Sequence, residues 1–192
     1  MFSGIVQSLG VIREAKDHEQ GKKILAEPRL AHHWKEGASV SISGICSTVV
    51  AVRDSLLECF YMPETLQKTT AGQWQEGTLV NIEPSLKVGD EISGHFVFGH
   101  VDGRVEVESV QDQGASKLVG FYVAPALGRF LAPKGSVTLD GVSLTVVETK
   151  KEWFTVSLIP YTLEHTTVGG LKVGTPLNIE IDMLARYIAK LL

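Results

Sequence analysis

The sequence lacks the features that mark several specialised protein classes. Its 192 residues include only two cysteines, too few for a disulfide scaffold or a four-thiolate zinc site. It has no apolar run near the roughly 18 residues of a membrane span, and its start lacks the basic-then-apolar order of a signal peptide. The net charge is −4 and the sequence has no Lys/Arg cluster, so it predicts no basic surface that would bind nucleic acid. We therefore expect a cytoplasmic globular protein whose partner is a small molecule.

An internal repeat is the most informative feature that is present. Residues 40–83 align with residues 137–180 at a constant offset of 97, with 16 identities in 44 positions and no gap. With a two-residue slip, Gly4-Ile5-Val6 also aligns with Gly99-His100-Val101. The repeat predicts two homologous domains, residues 1–92 and 93–182, each large enough to bury its own core.

Each copy consists of short alternating or apolar runs, broken by glycine or charged turns. This pattern predicts an all-β fold with a small antiparallel barrel or sandwich in each domain. Prolines near the start of short segments predict single helical turns at 28–35, 63–70, 125–132 and 160–167.

The last ten residues have a different pattern from the rest of the chain. After Asp182, a suitable N-cap, apolar residues recur at helical spacing and predict a helix over 183–192. A helix this short is marginal alone, so its apolar stripe must pack on another surface. That surface is either the helix's own barrel or another subunit.

Five motifs together resemble riboflavin synthase of the two-barrel, α-chain type. They are MFSGIVQ at the start, MPETL at 62–66, SGHFVFGHVDG at 93–103, LDGVSLTV at 139–146 and SLIPYTLE at 157–164. The resemblance covers essentially the whole chain. It implies two six-stranded Greek-key barrels, each binding one 6,7-dimethyl-8-ribityllumazine, and a C-terminal helix that assembles a homotrimer.

The resemblance also implies a reaction. A four-carbon unit passes from one lumazine to a second, and riboflavin and 5-amino-6-ribitylaminouracil leave, without a metal or redox cofactor. The family's working site lies between the N-terminal barrel of one subunit and the C-terminal barrel of its neighbour. Which barrel holds the donor, and whether lumazine synthase is a lasting partner, stay open.

One histidine, His100, is a candidate for proton transfer. His100 occupies the place of Ile5 in the first copy, and its ordinary pKa of about 6.5 suits a base near neutral pH. The alternative is a hydrogen-bonded structural histidine. His95 lies five residues earlier, and on a regular strand this spacing points the two side chains to opposite faces, so a shared metal is not expected.

Cys46 and Ser143 are equivalent positions, each two residues before a threonine on the same strand face. The resemblance makes them polar activators beside the reacting ring, and with His100 they form the predicted catalytic set. The alternatives are a buried cysteine acting as a small hydrophobe and a serine that bonds a turn.

The resemblance also implies a set of substrate-binding residues. Phe2 to Val6 are expected to form the floor of the N-terminal pocket, Phe2 could stack on a pteridine ring, and Thr65 and Thr162 are expected as hydroxyl donors. The full set is Phe2, Ser3, Gly4, Ile5, Val6, Ser39, Cys46, Ser47, Thr48, Phe60, Tyr61, Met62, Pro63, Glu64, Thr65, Gly99, His100, Val101, Lys134, Asp140, Ser143, Leu144, Thr145, Ser157, Leu158, Ile159, Pro160, Tyr161 and Thr162.

The chain departs from the family pattern at Ser3, which keeps the hydroxyl of the commoner threonine, and at three positions where the side-chain chemistry changes. Ser43 and Ser47 replace an amide and an aliphatic side chain of the N-terminal barrel, and Phe98 stands where a small polar residue is usual. These changes could reshape one pocket, whereas the motif at 139–146 is intact. The competing hypothesis is therefore a lumazine or flavin binder of the same double-barrel fold that does not convert its ligand.

Overall fold

The computed structural model describes residues 1–191, and the last residue of the predicted helix lies outside them. The strands of the first half are β1 (Ser8–His18), β2 (Gly21–Pro28), β3 (Ser39–Ile42), β4 (Ile45–Thr48), β5 (Ala51–Arg53), β6 (Leu56–Tyr61) and β7 (Leu79–Pro84). They form one antiparallel sheet in the order β4-β3-β7-β1-β2-β6-β5. Only two residues separate β4 from β5 in the chain, so the two ends of this order are joined covalently.

The second half repeats this arrangement as a closed barrel. Its strands are β8 (Gly103–Gln113), β9 (Ser116–Tyr122), β10 (Ser136–Leu139), β11 (Val142–Lys150), β12 (Trp153–Leu158) and β13 (Pro176–Ile181). The barrel order is β10-β11-β12-β9-β8-β13. Because β9 is followed in the chain by β10 on the far side of the barrel, the connection is of the Greek-key type. The predicted all-β fold with tandem barrels is confirmed, and β11 corresponds to β4 and β5 together.

Short helices lie between the strands and at the end of the described chain. They are α1 (Pro63–Lys68), α2 (Pro125–Gly128), α3 (Pro160–His165) and α4 (Met183–Leu191), with 3-10 turns at Thr70–Gln73 and Thr167–Gly170. Three of the predicted helical turns are therefore confirmed. The fourth, at 28–35, is wrong: Pro28 pairs with Gly10 at the end of β2, and Trp34 packs against the N-terminal core instead of continuing a helix.

The two strands β7 and β13 face the junction between the halves. Val80 and Ile82 fill the N-terminal core, so the alternate side chains Asn81 and Glu83 point to the opposite face of β7. Both polar side chains are buried at the junction. Strand β13 repeats this pattern, with apolar residues in the core and Asn178 and Glu180 on its other face.

Two asparagines connect the halves directly. Nδ2 of Asn81 donates to the carbonyl oxygen of Asp140 at 2.9 Å, and Oδ1 accepts from the N–H of Thr167 at 2.8 Å. Asn178 makes the equivalent two bonds to the N-terminal half, at 2.8 and 2.7 Å. The repeat is therefore also a pseudo-two-fold arrangement in space.

The halves also exchange their leading segments. Residues 1–6, which we call crossing segment A, lie on the C-terminal barrel, where Val6 packs against its core. Residues 97–101, crossing segment B, lie on the N-terminal barrel, where Val101 packs in the same way. The two segments meet at a short antiparallel bridge between Phe2 and Val97, with N···O distances of 2.7 and 3.1 Å.

Two buried carboxylates hold these segments in place. Glu83 accepts from the N–H groups of Ser3 and Gly4 at 2.7 and 3.1 Å, and Glu180 accepts from those of Phe98 and Gly99 at 2.7 and 2.8 Å. Burial raises the pKa of both carboxyl groups, and the N–H donors oppose that shift. The segments are thus anchored by side chains of β7 and β13.

Helix α4 begins at the Asp182 cap, whose Oδ1 accepts from the N–H of Leu184 at 2.9 Å. Ala185 packs on the C-terminal core, and Arg186 forms a 2.8 Å ion pair with Asp102. Four apolar side chains nevertheless remain mostly exposed, namely Leu184, Tyr187, Ile188 and Leu191. No described helix is long and apolar enough to cross a membrane.

Candidate active site

A pocket of about 430 Å³ opens on the N-terminal barrel. Its walls are β4, the end of β6 with α1, and crossing segment B. The lining residues are Ile45, Cys46, Ser47, Thr48, Val50, Phe60, Tyr61, Met62, Glu64, Thr65, Lys68, Thr69, Gly99, His100 and Val101. All of these except Ile45, Val50, Lys68 and Thr69 belong to the predicted substrate-binding set.

Two of the three predicted catalytic residues share this pocket. The N–H of Cys46 donates to the carbonyl oxygen of Gly99 at 2.9 Å, which fixes crossing segment B against β4. His100 is the next residue, so its imidazole and the half-buried Cys46 thiol line the same space. The ring of Phe98 lies 5.9 Å from the His100 ring at 33° and forms part of its surroundings.

An ion pair lies on the α1 side of the pocket. Nζ of Lys68 is 2.8 Å from Oε1 of Glu64, one helical turn away. Their hydrogen bond and charge attraction lower the pKa of Glu64 and raise that of Lys68. The pocket therefore offers an anionic acceptor and a cationic donor to a polar ligand chain.

The floor of the pocket contains a buried pair of hydroxyls. The Oγ of Ser47 donates to the carbonyl oxygen of Ile45 at 3.0 Å and lies 2.6 Å from the phenol oxygen of Tyr61. Because the Ser47 hydrogen is directed at Ile45, the phenol of Tyr61 is the donor in this second bond. Burial raises the pKa of Tyr61 well above its ordinary value, which keeps that hydrogen in place. The equivalent positions on the C-terminal barrel are Leu144 and Leu158, which makes that floor apolar.

Ser143, the third predicted catalytic residue, lies on the other barrel. Its N–H donates to the carbonyl oxygen of Gly4 at 2.8 Å, the counterpart of the bond between Cys46 and Gly99. Its Oγ lies 2.7 Å from Nδ1 of His95. We call the place where crossing segment B meets Cys46 the N-terminal or His100 rim, and the place where crossing segment A meets Ser143 the C-terminal or Ser143 rim. The three predicted catalytic residues are thus divided between two equivalent rims within one chain.

Residues 2–6 lie on a different barrel from the one expected. The resemblance implies that they form the floor of the N-terminal pocket, whereas crossing segment A lies on the C-terminal barrel. Phe2 is fully buried at the bridge to Val97, so its ring is not free to stack on a ligand in the N-terminal pocket. Ser3, Gly4, Ile5 and Val6 stand at or next to the Ser143 rim, and their contact with a ligand stays a prediction.

Four further predicted residues lie outside the N-terminal pocket. Pro63 starts α1 but does not line the cavity, and Ser39 lines a neighbouring cleft with Trp34. Lys134 is exposed in a turn. Asp140 lies at the junction, where its Oδ1 accepts from the N–H of Asn178 at 2.8 Å and burial raises its pKa to about 7.

The remaining predicted residues lie on the C-terminal barrel, all but Pro160 at positions equivalent to the lining of the N-terminal pocket. They are Leu144, Thr145, Ser157, Leu158, Ile159, Pro160, Tyr161 and Thr162. On α3, the Tyr161 and His165 rings stack at 4.1 Å where α1 carries its ion pair. The two rims therefore differ in charge and polarity, and substrate contact at this second rim stays a prediction.

Sequence reasoning missed several residues that shape the rims. Thr138 and His95 bond each other beside Ser143, at 3.1 Å. Glu83 and Glu180 were visible as the closing Asn-Ile-Glu of both repeats, but their role depends on the exchange of the crossing segments. Among residues 1–191, no three His, Cys, Asp or Glu side chains are grouped to hold a metal ion.

Comparisons with known proteins agree with this arrangement. The family described as "Lumazine binding domain" matches the chain twice, at residues 3–85 and 98–182. Riboflavin synthase of Brucella abortus is 42% identical over 197 aligned residues, which cover 100% of this chain and 98% of that protein. The chain belongs to the riboflavin synthase family.

Other relatives in this family are more distant but equally complete. Riboflavin synthase of Mycobacterium tuberculosis is 35% identical, with 100% of this chain and 98% of that protein covered. Among solved structures, LumP complexed with riboflavin superposes with a TM-score of 0.86 at 19% identity, covering 94% of this chain and 99% of that chain. LumP complexed with 6,7-dimethyl-8-(1'-D-ribityl) lumazine gives 0.83 at 18%. At this identity the LumP structures support the double-barrel fold.

The three departures from the family pattern now have structural explanations. Ser43 lies at the junction rather than in the pocket, where its Oγ accepts from the N–H of Asn81 at 3.2 Å. The buried hydroxyl of Ser47 is satisfied by its hydrogen bond with Tyr61 in the pocket floor. Phe98 contributes its backbone N–H to Glu180 and its ring to the surroundings of His100. Each departure is thus accommodated without loss of the pocket.

Proposed function

We propose that the chain is a riboflavin synthase. It converts two molecules of 6,7-dimethyl-8-ribityllumazine into riboflavin and 5-amino-6-ribitylaminouracil by transferring a four-carbon unit, the last step of riboflavin biosynthesis. The observation that carries this proposal is the presence of two equivalent rims on a duplicated barrel, in a chain that aligns along its whole length with riboflavin synthases. A dismutation consumes two copies of one substrate, and the duplication supplies two similar places to hold them.

Holding the two rings together is the main contribution that the protein makes to the rate. Two bound lumazines react as if within one molecule, and effective molarities of such arrangements reach about 10⁵ M or more. The N-terminal pocket of about 430 Å³ has the volume of a small-molecule site. In our proposal, one lumazine occupies this pocket and the second occupies the Ser143 rim of a neighbouring subunit.

The rim residues supply the proton transfers and the polar contacts. His100, at the pocket wall, is the proposed base that removes a proton from the 7-methyl group of one lumazine. Cys46 and Ser143 are the proposed polar activators of the two rings. Thr48 and Thr65 line the N-terminal pocket and are proposed hydroxyl donors to its ligand.

A time course of the purified protein with the lumazine tests this proposal. The enzyme is expected to replace lumazine absorbance and fluorescence with those of riboflavin, and His100→Gln is expected to slow turnover at saturating substrate. The competing hypothesis, a non-catalytic binder of the same fold, predicts a stable fluorescent complex without riboflavin. The riboflavin synthase relatives favour conversion over binding alone.

We also propose that the chain forms a homotrimer through α4. The exposed apolar stripe of α4, with Leu184 and Tyr187 each 65% exposed, supports a seam between subunits. Sedimentation velocity is expected to show a trimer, and replacing Leu184 and Ile188 by Ser is expected to dissociate it. A wild-type monomer at micromolar concentration would contradict this proposal. Cytoplasmic location and association with lumazine synthase stay predictions.

A further inference from the structure

The hydroxyl of Ser143 belongs to a line of three hydrogen-bonding side chains. Thr138 and Ser143 are directly opposite each other on the paired strands β10 and β11. The His95 imidazole spans them, with Nδ1 2.7 Å from Oγ of Ser143 and Nε2 3.1 Å from Oγ1 of Thr138. The His95 ring therefore connects the Ser143 hydroxyl at the rim to the buried hydroxyl of Thr138.

The backbone holds this imidazole in place. The N–H of His95 donates to the carbonyl oxygen of Ser3 at 3.1 Å. The preceding residue, Gly94, lies so close to crossing segment A that an added Cβ would be 2.1 Å from the same carbonyl oxygen and 3.0 Å from Cβ of Ser143. Only glycine allows the chain to bring His95 this near to the rim.

The N-terminal rim is built differently. Ser41 and Cys46 occupy the places of Thr138 and Ser143 and are also directly opposite each other. Within residues 1–191, no histidine is hydrogen-bonded to either side chain, and the histidine of that rim is His100 in the pocket wall. The repeated scaffold has therefore acquired a different imidazole on each barrel.

The direction of the hydrogen bonds follows from burial. Thr138 is 1% exposed, and its bond to His95 is the one that the structure gives to its hydroxyl within residues 1–191. If Nε2 carried the ring proton, the Thr138 hydroxyl hydrogen would be buried without an acceptor, which costs about 1–3 kcal/mol. Thr138 therefore donates to Nε2, Nδ1–H donates to Ser143, and the Ser143 hydrogen is free to point at a ligand.

The charge state of the imidazole agrees with this arrangement. Burial lowers the pKa of His95, and the negative charge of Asp182 only partly opposes this. The ring is therefore neutral near pH 7 and keeps the Nε2 lone pair that accepts from Thr138. Bonds aligned in one direction strengthen one another, so the Ser143 hydroxyl becomes a stronger donor than an isolated serine.

We propose that His95, held by Thr138, is a positioning residue that fixes the Ser143 hydroxyl as a hydrogen-bond donor to a ring nitrogen or carbonyl oxygen of the lumazine at the C-terminal rim. This inference rests on the proposed function. It assigns to the C-terminal rim the task of withdrawing electrons from its ring, whereas the His100 rim supplies the base.

The first test is independent of catalysis. Ring ¹⁵N chemical shifts of histidine-labelled protein identify the tautomer of each imidazole. We expect His95 to carry its proton on Nδ1 near pH 7, and Thr138→Val, which removes the donor to Nε2, to abolish this preference. A proton on Nε2 in the wild type would overturn the inference whether or not the protein makes riboflavin.

The second test separates positioning from folding. His95→Leu removes the donor and is expected to lower kcat about 10- to 100-fold with little change in KM, in line with the loss of one preorganised donor. His95→Asn can keep an N–H near the place of Nδ1 and is expected to retain kcat within about threefold. The matched control is His33→Leu, an exposed histidine in the loop after β2, with wild-type kcat expected.

A double mutant completes the test. If His95 acts through Ser143, His95→Leu has no further effect on kcat in a Ser143→Ala background. Equal losses in both backgrounds would overturn the inference. If the wild type makes no riboflavin, the proposed function fails instead, and the same variants are then compared by their dissociation constants for the lumazine, where additivity again contradicts the coupling.

Discussion

The phenol of Tyr61 donates to the Oγ of Ser47 at 2.6 Å, and Ser47 in turn donates to the carbonyl oxygen of Ile45. This chain of bonds lets a serine occupy a position that is apolar on the other barrel. It also makes the two hydroxyls unequal, because Ser47 keeps an acceptor without Tyr61, whereas Tyr61 has none without Ser47.

The first prediction follows from this inequality. Ser47→Ala leaves the buried Tyr61 hydroxyl unpaired and is expected to cost about 1–3 kcal/mol of unfolding free energy. Tyr61→Phe is expected to cost less than about 1 kcal/mol, and the double variant to resemble Tyr61→Phe alone. Urea denaturation of the three variants checks this order, and a Tyr61→Phe cost above that of Ser47→Ala would contradict it.

The second prediction concerns the contact between crossing segment B and β4. Gly99 has φ +72°, and an added Cβ would lie 2.6 Å from the N of Cys46. Gly99→Ala is therefore expected to weaken lumazine binding at the N-terminal pocket by more than tenfold, since the segment carrying His100 must move. Fluorescence titration with the lumazine measures this.

The control for this variant is Gly37→Ala. Gly37 has φ +78° but no atom within 4 Å of an added Cβ, so this variant carries only the backbone cost of about 1–2 kcal/mol. The excess effect of Gly99→Ala over Gly37→Ala measures the steric contact. Equal losses of stability and unchanged binding would show that segment B does not shape the pocket.

The third prediction is a pH dependence at the junction. Burial raises the pKa of Asp140 from 3.8 to about 7, so the folded state favours the protonated carboxyl. Its stabilising contribution is complete below about pH 4 and is lost as the pH rises through about 7. Asp140→Asn keeps an acceptor for the Asn178 N–H and removes this titration.

Denaturation at pH 5 and pH 8 tests the sign. Relative to the wild type, Asp140→Asn is expected to gain about 1–3 kcal/mol between these values, because wild-type stability falls by about 1.4 kcal/mol for each pH unit between pH 5 and the folded pKa of about 7. Glu83 and Glu180 titrate in the same direction in both proteins and cancel in the difference. A stability difference that falls with pH would refute the assignment.

The repeat explains why much of the fold and of one pocket could be predicted. Equivalent glycines, prolines and apolar positions locate the strands and α1 twice, and most wall residues of the N-terminal pocket, Cys46 and Thr65 among them, were implied by the resemblance. The repeat does not tell on which barrel Gly4 and Gly99 lie, because each segment fits the same pattern in either place. Their exchange depends on long-range contacts of Glu83 and Glu180 with backbone N–H groups.

His95 shows a second limit of sequence reasoning. The spacing of five residues from His100 predicts opposite faces only on a regular strand, but the structure assigns no strand between 92 and 102 beyond a single bridge. The two imidazoles do point apart. The cause, however, is that the segment passes from one barrel to the other, not the alternation of side chains along a strand. Similarly, the helical turn expected at 28–35 gives way to the packing of Trp34 on the core.

The central claim is that two copies of one lumazine meet in this protein and that one of them transfers a four-carbon unit to the other. Chromatographic measurement of both products after complete turnover tests it most directly. The account predicts half a molecule of riboflavin and half a molecule of 5-amino-6-ribitylaminouracil for each lumazine consumed, without any added co-reactant. Lumazine recovered unchanged from a stoichiometric complex, or riboflavin without an equal amount of the second product, would contradict it.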